Sequence, residues 1–219
     1  MGNNTKPLLT IGMTPLVDAG QLRFVLSWPF GPKDLDLHSF FSISRFSKCE
    51  VYFGQRDCVG TTLDTDNFNG GASGVETITI NLLGNYIYTF AVNKYVDVTT
   101  GNGQAQGDTP VSGQEESNST AVEAAINIGI PDTTLAQSTA KISVYSYGYK
   151  GPIFSLTVPT FMPENLIVNT QNESGINDEK SYNWWLAFCL NGSTGFNSLT
   201  PVNKLSTDIP SYNYCGQYF

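Results

Sequence analysis

The chain has 219 residues, of which 14% are charged, and its 19 acidic and 11 basic side chains give a net charge of -8. A nucleic-acid partner would require a basic surface to neutralise phosphates, so this composition argues against that class of protein. The length accommodates one large β domain or two small ones, and it suffices to bury a core without cross-links.

Short segments with apolar residues at every second position run along the chain, which is typical of strands with one buried face. In the segment 21–28, for example, Leu22, Phe24, Leu26 and Trp28 share a face. The predicted strands are 8–13, 21–28, 34–40, 50–53, 61–63, 75–80, 86–95, 121–130, 140–147, 153–158, 165–168 and 182–190. For 121–130 a short capped helix is the alternative.

Two segments depart from the strand pattern. Residues 97–120 are polar and rich in Gly, Gln and Ser, which predicts a solvated insertion. Residues 206–219 form an aromatic tail that we expect to pack on the body or on a neighbour. Because no linker or repeat divides the chain, we predict a single domain over 1–219. Its fold class is all-β, a two-layer antiparallel β-sandwich of Ig-like or jelly-roll-like type.

Four cysteines, Cys49, Cys58, Cys189 and Cys215, predict two disulfides with three possible connectivities. We favour Cys49 with Cys58 because residues 50–57 have the pattern of a strand entering a turn, which would bring the two cysteines together. Cys189 with Cys215 then follows by elimination. Four buried free thiols are the alternative. A zinc site is disfavoured, since the chain has one histidine and no Cys-x-x-Cys pair.

We expect the chain to be exported from the cell. Asn3, Asn118, Asn172 and Asn191 are candidate glycosylation sites, although as many sequons would arise by chance in a chain this rich in Asn, Ser and Thr. No apolar run approaches the roughly 20 residues of a membrane helix, so we predict no transmembrane segment. The N-terminus shows no signal peptide. We expect an extracellular or cell-surface protein.

An acidic, glycine-rich loop is the strongest candidate for a binding site. Asp64, Asp66 and Asn67 are followed by Asn69, two glycines and a serine, and such a turn supplies the oxygen ligands that calcium prefers. The spacing does not match an EF-hand. An ordinary turn rich in Asp and Asn is the alternative.

A second carboxylate pair precedes this loop. Alternation places Asp34, Asp36 and His38 on one face of a strand, and the leucines between them face the core. Two carboxylates on one face repel each other, so water, a cation or a basic neighbour such as Lys33 or Arg45 must compensate.

Catalysis has little support, and we expect no enzyme. His38 is the only histidine, and neither a Gly-x-Ser-x-Gly elbow nor a phosphate-binding glycine loop is present. A hydrolase built on a carboxylate pair is a less favoured alternative. Trp184 and Trp185 are candidate ligand-binding residues for sugar stacking. Neighbouring strand residues face opposite sides, however, so we expect at least one of them to lie in the core.

Several motifs together resemble the YfaP-like family of uncharacterised β-sandwich domains, which recurs in bacterial secreted proteins and in large extracellular proteins of protists. They are Leu-Ser-Trp at 26–28, Asp-Leu-Asp-Leu-His at 34–38, Cys-Glu-Val-Tyr-Phe-Gly at 49–54, Leu-Asp-Thr-Asp-Asn at 63–67, Gly-Val-Glu-Thr-Ile-Thr-Ile at 74–80, Gly-Asn-Tyr at 84–86, and the segments 184–189 and 191–195. The chain departs from the family at Val75, where proline is usual, and in the insertion at 97–120.

A weaker similarity to TerD-like calcium-binding domains rests on the Asp-x-Asp-Leu strand and the Asp-rich loop before a Glu-containing strand. This similarity implies a calcium ion as cofactor. The residues to which it assigns a metal role are Asp34, Asp36, Asp64, Asp66, Asn67 and Glu76.

From these observations we expect a non-enzymatic, extracellular structural or adhesive β-sandwich subunit that is stabilised by calcium. Its expected partners are further copies, in a filament or surface layer, or other extracellular proteins or glycans. A carbohydrate-binding or surface-ligand-binding module is the alternative, and a paired-carboxylate hydrolase is the third interpretation.

Overall fold

The computed structural model describes residues 16–29, 31–67, 74–95, 134–160, 170–171, 177–178 and 182–219. The strands predicted at 8–13, 121–130 and 165–168 lie outside these residues, as does the polar insertion predicted at 97–120. The second part of the acidic loop, 68–73, also lies outside them.

Thirteen strands make up about half of the described part of the chain. In order, β1 to β13 are Leu22–Trp28, Leu35–Ser42, Lys48–Val51, Asp57–Cys58, Thr61–Thr65, Gly74–Ile80, Ile87–Lys94, Lys141–Ser146, Phe154–Thr157, Thr170–Gln171, Asn177–Asp178, Trp184–Asn191 and Thr200–Ser206. Short 3-10 helices lie at Leu135–Gln137, Phe196–Ser198 and Tyr214–Tyr218.

The strands form two antiparallel sheets and one small strand pair, β10 with β11. One sheet has six strands in the order β4-β5-β6-β1-β8-β9, and the other has five in the order β13-β12-β7-β2-β3. Residues of both sheets share a single apolar core cluster. The predicted all-β sandwich is therefore confirmed.

The alternation of apolar residues along the strands determines which side chains lie in the core, as the sequence indicates. Leu22, Phe24, Leu26 and Trp28 of β1 are each at most 1% exposed. Phe24 stacks on Phe90 from the other sheet, with ring centroids 3.7 Å apart. Stacked aromatic rings such as these join the two layers, and aromatic pairs add to the free energy gained by burying their area.

Strand β13, Thr200–Ser206, is absent from the predicted strands. Pro201 lies within it, and proline cannot donate a ladder hydrogen bond, which weakens any strand prediction. The strand lies at the edge of its sheet and pairs only with β12 among the described strands, so the missing donor is tolerated there.

A β-bulge in β12 determines which side chains of that strand face the core. Its register shifts between Leu186 and Phe188 against both neighbouring strands. Trp185 contributes to the main core before the bulge and Phe188 after it, so the inward positions change from odd to even numbers. Cys189 is thereby turned to the opposite face of the sheet.

The aromatic tail covers that opposite face. Tyr212 and Tyr214 pack with Phe40 and Leu186 in a second apolar cluster. The Tyr212 hydroxyl donates a hydrogen bond of 3.0 Å to Glu50 Oε2. The expectation that the tail packs on the body is confirmed.

Both predicted disulfides are present. Cys49 of β3 bonds to Cys58 of β4, with Cα atoms 6.1 Å apart, and this bond links the edges of the two sheets. Cys189 bonds to Cys215, with Cα atoms 5.4 Å apart, and holds the tail on β12. No cysteine is free.

We expect removal of either disulfide to lower the free energy of unfolding, and removal of Cys189–Cys215 to lower it more. A separation of 26 residues corresponds to about 3.5 kcal/mol in the chain-entropy description of a cross-link, against about 2.6 kcal/mol for a separation of 9. Chemical denaturation of Cys189→Ala/Cys215→Ala and of Cys49→Ala/Cys58→Ala measures both losses. A larger loss for the shorter loop would contradict this expectation.

Candidate metal centre

Three carboxylates converge where β2 and β6 begin, at one end of the sandwich. Asp34 immediately precedes β2, Asp36 is its second residue, and Glu76 is the third residue of β6. One oxygen from each of these side chains lies within 4.8 Å of the others. Strands from opposite sheets therefore contribute to one cluster, which we call the carboxylate cluster.

Glu76 is held in place by main-chain donors. β3 pairs with β2 only from Ser39 onward, so the beginning of β2 has an edge that no described strand covers. On this edge the Leu37 amide donates a hydrogen bond of 2.6 Å to Glu76 Oε2. The Asn67 amide donates to Glu76 Oε1 at 3.4 Å. The Glu76 side chain thus takes the place of a strand partner and connects the two sheets.

Burial and mutual repulsion make ionisation of the cluster costly. Burial, followed by the nearby charges of Asp34 and Asp66, raises the pKa of Asp36 to about 8. Burial also raises the pKa of Glu76 to about 9, against the opposing effect of the Leu37 amide. Without a cation, the folded protein therefore keeps protons on buried carboxyl groups at neutral pH.

Of the three cluster residues, Asp34 has the clearest need for a hydrogen-bond donor or a cation. Its Oδ1 is buried and has no hydrogen-bond partner among the described residues. Burial, then the charge of Asp66, raises the pKa of Asp34 to about 6, while Lys33 acts in the opposite direction. A buried carboxylate oxygen without a donor carries its full desolvation cost, which a bound cation would offset.

Asp66 and Asn67 lie at the margin of the cluster. Asp66 raises the pKa of all three cluster carboxyl groups, so its charge acts on the site. The tight group of three oxygens does not include it. Asn67 contacts the cluster through its main-chain amide, as a donor to Glu76 rather than as an oxygen ligand.

Asp64 does not belong to the cluster, and its assignment as a ligand stays a prediction. It accepts a hydrogen bond from the Thr79 hydroxyl, and its Oδ2 lies 3.9 Å from Arg23 Nε. The register of β5 shifts between Leu63 and Thr65, so a bulge reverses the alternation at this position. Asp64 and Asp66 therefore lie on different faces, whereas in a regular strand they would share one.

His38 is also separate from the cluster. Its Nδ1 lies 2.8 Å from Glu50 Oε1, and its ring stacks on Tyr52 and Phe40. Burial lowers the pKa of His38, and the Glu50 hydrogen bond partly offsets this effect. The histidine is thus a component of the packing under the tail.

Trp184 and Trp185 are poorly placed to stack on a sugar. Trp185 is fully buried and its indole N–H donates to Asn203 at 2.9 Å, which corrects its assignment as a ligand-binding residue. At least one of the two tryptophans therefore lies in the core, as expected. Trp184 is half-buried, and its ring lies 4.9 Å from His38 and 6.0 Å from Phe40.

Of the candidate glycosylation sites, only Asn191 is described. It is the last residue of β12, and its side-chain oxygen accepts a hydrogen bond of 3.0 Å from the Ser193 amide. Asn3, Asn118 and Asn172 lie outside the described residues.

Sequence reasoning from local composition missed two components of the site. The Leu37 amide carries no side-chain signal at all. Glu76 entered the predicted set only through a resemblance, yet the sequence does mark it, because alternation places it on the same face as the core residues Ile78 and Ile80. An acidic residue on the core face of a strand is itself a sign of a buried polar site.

Comparison of the chain with models of protein families found no match, and comparisons with curated proteins and with solved structures found none either. The resemblance to YfaP-like domains therefore stays a prediction. Among the described residues, no helix has the length and apolar character needed to cross a membrane.

In protein freed of divalent cations, we expect stability to fall as the pH rises. The pKa values of Asp36 and Glu76 are about 8 and about 9 in the folded state, against ordinary values of 3.8 and 4.5. At pH values between the ordinary and the folded-state pKa values of these two groups, the folded state binds more protons than the unfolded state. A rise in pH therefore favours unfolding. Melting temperatures in chelator from about pH 5 to about pH 9 test this expectation. A melting temperature that rises steadily over this range would contradict it.

Proposed function

We propose that this chain is a non-enzymatic β-sandwich subunit with a structural or adhesive role outside the cell, and that a calcium ion joins its two sheets. The carboxylate cluster is the observation that supports this proposal. Asp34, Asp36 and Glu76 come from both sheets, and their oxygens lie within 4.8 Å of one another. A cation at this point would offset their repulsion and link the layers.

Calcium suits the chemistry of the cluster better than other common ions. All three side chains are carboxylates, which are hard oxygen ligands, and Asp66 adds negative charge beside them. Calcium accepts six to eight oxygens in irregular geometry, whereas magnesium requires a near-ideal octahedron and retains water. Zinc sites are usually built from histidine and cysteine, and neither residue belongs to the cluster.

The burial of the cluster favours a structural role over catalysis. Asp36 is 4% exposed and Glu76 is 1% exposed. A glycoside hydrolase requires two carboxyl groups that flank a bond of the substrate, and therefore a cleft that admits it. Carboxyl groups buried as deeply as Asp36 and Glu76 are better suited to holding an ion than to contacting a sugar ring.

An extracellular location is supported by the cysteines. Both disulfides join segments that are separate in the fold, namely β3 with β4 and β12 with the tail. Such bonds persist in oxidising compartments and are rare in the cytosol. The disulfides and the ion would then stabilise different parts of the same sandwich.

Calorimetric titration of chelated protein with calcium tests the proposal directly. We expect heat of binding, and a melting temperature raised by roughly 5 to 10 °C when calcium is present at about 100 times its dissociation constant. Magnesium serves as the control ion and should have a weaker effect. Absence of heat together with an unchanged melting temperature would refute the calcium site.

Two isosteric variants should separate the cluster from the neighbouring acidic residue. Asp36→Asn removes one cluster charge, so we expect it to abolish the calcium response and to raise the ion-free melting temperature at about pH 8 and above. Asp64→Asn serves as the matched control, since Asp64 contacts Arg23 and Thr79 instead of the cluster. It should retain the full calcium response. Loss of the response in Asp64→Asn alone would contradict the assignment.

A further inference from the structure

Among the described residues, six segments form the end of the sandwich opposite the carboxylate cluster. Residues 81–86 lead from the end of β6 to the start of β7, so the two sheets end together here. Leu22, at the start of β1, pairs with Ile80 and with Ser146, which places the neighbouring turns at the same end. We call this set the loop crown, and its segments are 16–21, 43–47, 59–60, 81–86, 147–153 and 192–199.

The loop crown carries a concentration of exposed apolar side chains. Seven of the thirteen large apolar side chains that are exposed in the described residues belong to it. Leu16 and Phe46 are each 91% exposed, and Leu82 is 74% exposed. The full set is Leu16, Phe46, Val59, Leu82, Tyr147, Tyr149 and Phe196. Scattered exposed apolar residues are normal, but such a concentration at one end marks an interaction surface.

Hydrogen bonds within the loops hold these side chains in the exposed position. At the tip of the β2–β3 hairpin, Ser44 Oγ accepts from the Phe46 amide at 3.3 Å and from the Ser47 amide at 3.1 Å. The Asn81 amide donates to Gly60 O at 2.7 Å and joins two neighbouring loops. The exposure of Phe46 and Leu82 is therefore a property of the folded structure.

Close packing joins the loops further. A side chain at Gly192 would collide with the carbonyl of Gly84, and the Gly192 amide donates to Tyr86 O at 2.8 Å. The loops 81–86 and 192–199 thus support each other. Together with the contact between Asn81 and Gly60, this packing joins the segments 59–60, 81–86 and 192–199 of the loop crown.

The charge of the loop crown differs in sign from that of the whole chain. Its six segments contain two basic residues, Arg45 and Lys150, and one acidic residue, Asp18, which gives a net charge of 2 - 1 = +1. The full chain has a net charge of -8. The guanidinium of Arg45 lies 5.6 Å from the centre of the Phe46 ring, so a positive charge accompanies the most exposed aromatic residue.

We propose that the loop crown is a membrane-contact surface whose apolar tips enter the headgroup region of a bilayer that contains anionic lipids. This inference rests on the adhesive role proposed above and names the surface to which the subunit would adhere. Tyrosine and phenylalanine are well suited to the boundary between water and lipid. Basic residues beside them are attracted to the negative charge of anionic lipids.

The shape of the loop crown favours a bilayer over a second copy of the chain. Its apolar side chains stand on separate loops, and a fluid bilayer accepts such protrusions without a matching surface. A protein interface requires close complementarity over a patch of substantial area.

Co-sedimentation with vesicles tests the proposal, using phosphatidylcholine alone and phosphatidylcholine mixed with phosphatidylserine. We expect the full chain to bind the mixed vesicles more tightly, in calcium and in chelator alike. Phe46→Ser/Leu82→Ser should weaken binding by about tenfold or more, because two tips no longer bury apolar area in the lipid. Arg45→Gln/Lys150→Gln should weaken binding to mixed vesicles by about fivefold for each charge removed.

A double substitution at the other end of the sandwich provides the matched control. Phe53 and Tyr95 are each 46% exposed, and their rings contact each other at 6.0 Å beyond the ends of β3 and β7. Phe53→Ser/Tyr95→Ser should bind vesicles like the unaltered chain. Equal weakening in both double variants, or no vesicle binding by the unaltered chain, would overturn the proposal.

Two further measurements distinguish the possible failures. Sedimentation velocity without lipid should show monomers for the unaltered chain and for Phe46→Ser/Leu82→Ser. If the unaltered chain self-associates and Phe46→Ser/Leu82→Ser does not, the loop crown is a protein interface and the lipid assignment is overturned. Calcium titration of the same variant should give the heat of the unaltered chain, so failure of vesicle binding with normal calcium heat would reject the loop crown alone.

Discussion

The hydrogen bond between Glu76 and the Leu37 amide links the two sheets, and the carboxylate cluster is built around it. Glu76 belongs to the six-stranded sheet, yet it accepts a hydrogen bond of 2.6 Å from the Leu37 amide of the five-stranded sheet. The uncovered edge at the beginning of β2 makes this contact possible, since no β3 residue reaches Leu37. A buried acid that satisfies a main-chain donor costs little when it is neutral. Its proximity to two aspartates changes this balance and creates the requirement for a proton or a cation.

Two β-bulges determine which polar and sulfur-containing groups meet. The bulge in β5 separates Asp64 from Asp66, and directs Asp64 to Arg23 and Thr79. The bulge in β12 turns Cys189 away from the main core, where it meets Cys215 of the tail. In each case one extra residue reverses the alternation and reassigns a side chain to the opposite face of its sheet. Small irregularities in the ladder thus select the partners on which the carboxylate cluster and the tail depend.

The two ends of the sandwich have contrasting chemistry. One end carries the carboxylate cluster, in which Asp36 and Glu76 are almost fully buried. The other end exposes apolar side chains on short, hydrogen-bonded loops with a positive net charge. Antiparallel connectivity produces this division, because alternate loops of a sandwich lie at the same end. A cation that joins the sheets at one end would stabilise the scaffold from which the opposite loops project. The proposed roles of ion and loop crown are therefore compatible within one adhesive subunit.

Much of the fold follows from the sequence alone, because alternation with a period of two and turn residues are local properties. The faces of β1 and β2, the all-β class and both disulfides were predictable on these grounds. The sequence also marked Asp34 and Asp36 as a pair on one face. Only the tertiary structure decided that Glu76 completes the cluster through residues of the opposite sheet and that Asp64 lies outside it. It also decided that Trp185 is buried and that the exposed tips of six loops gather at one end. The physical reason is that bulges, uncovered strand edges and loop neighbours arise from the pairing of distant strands, which no local pattern records.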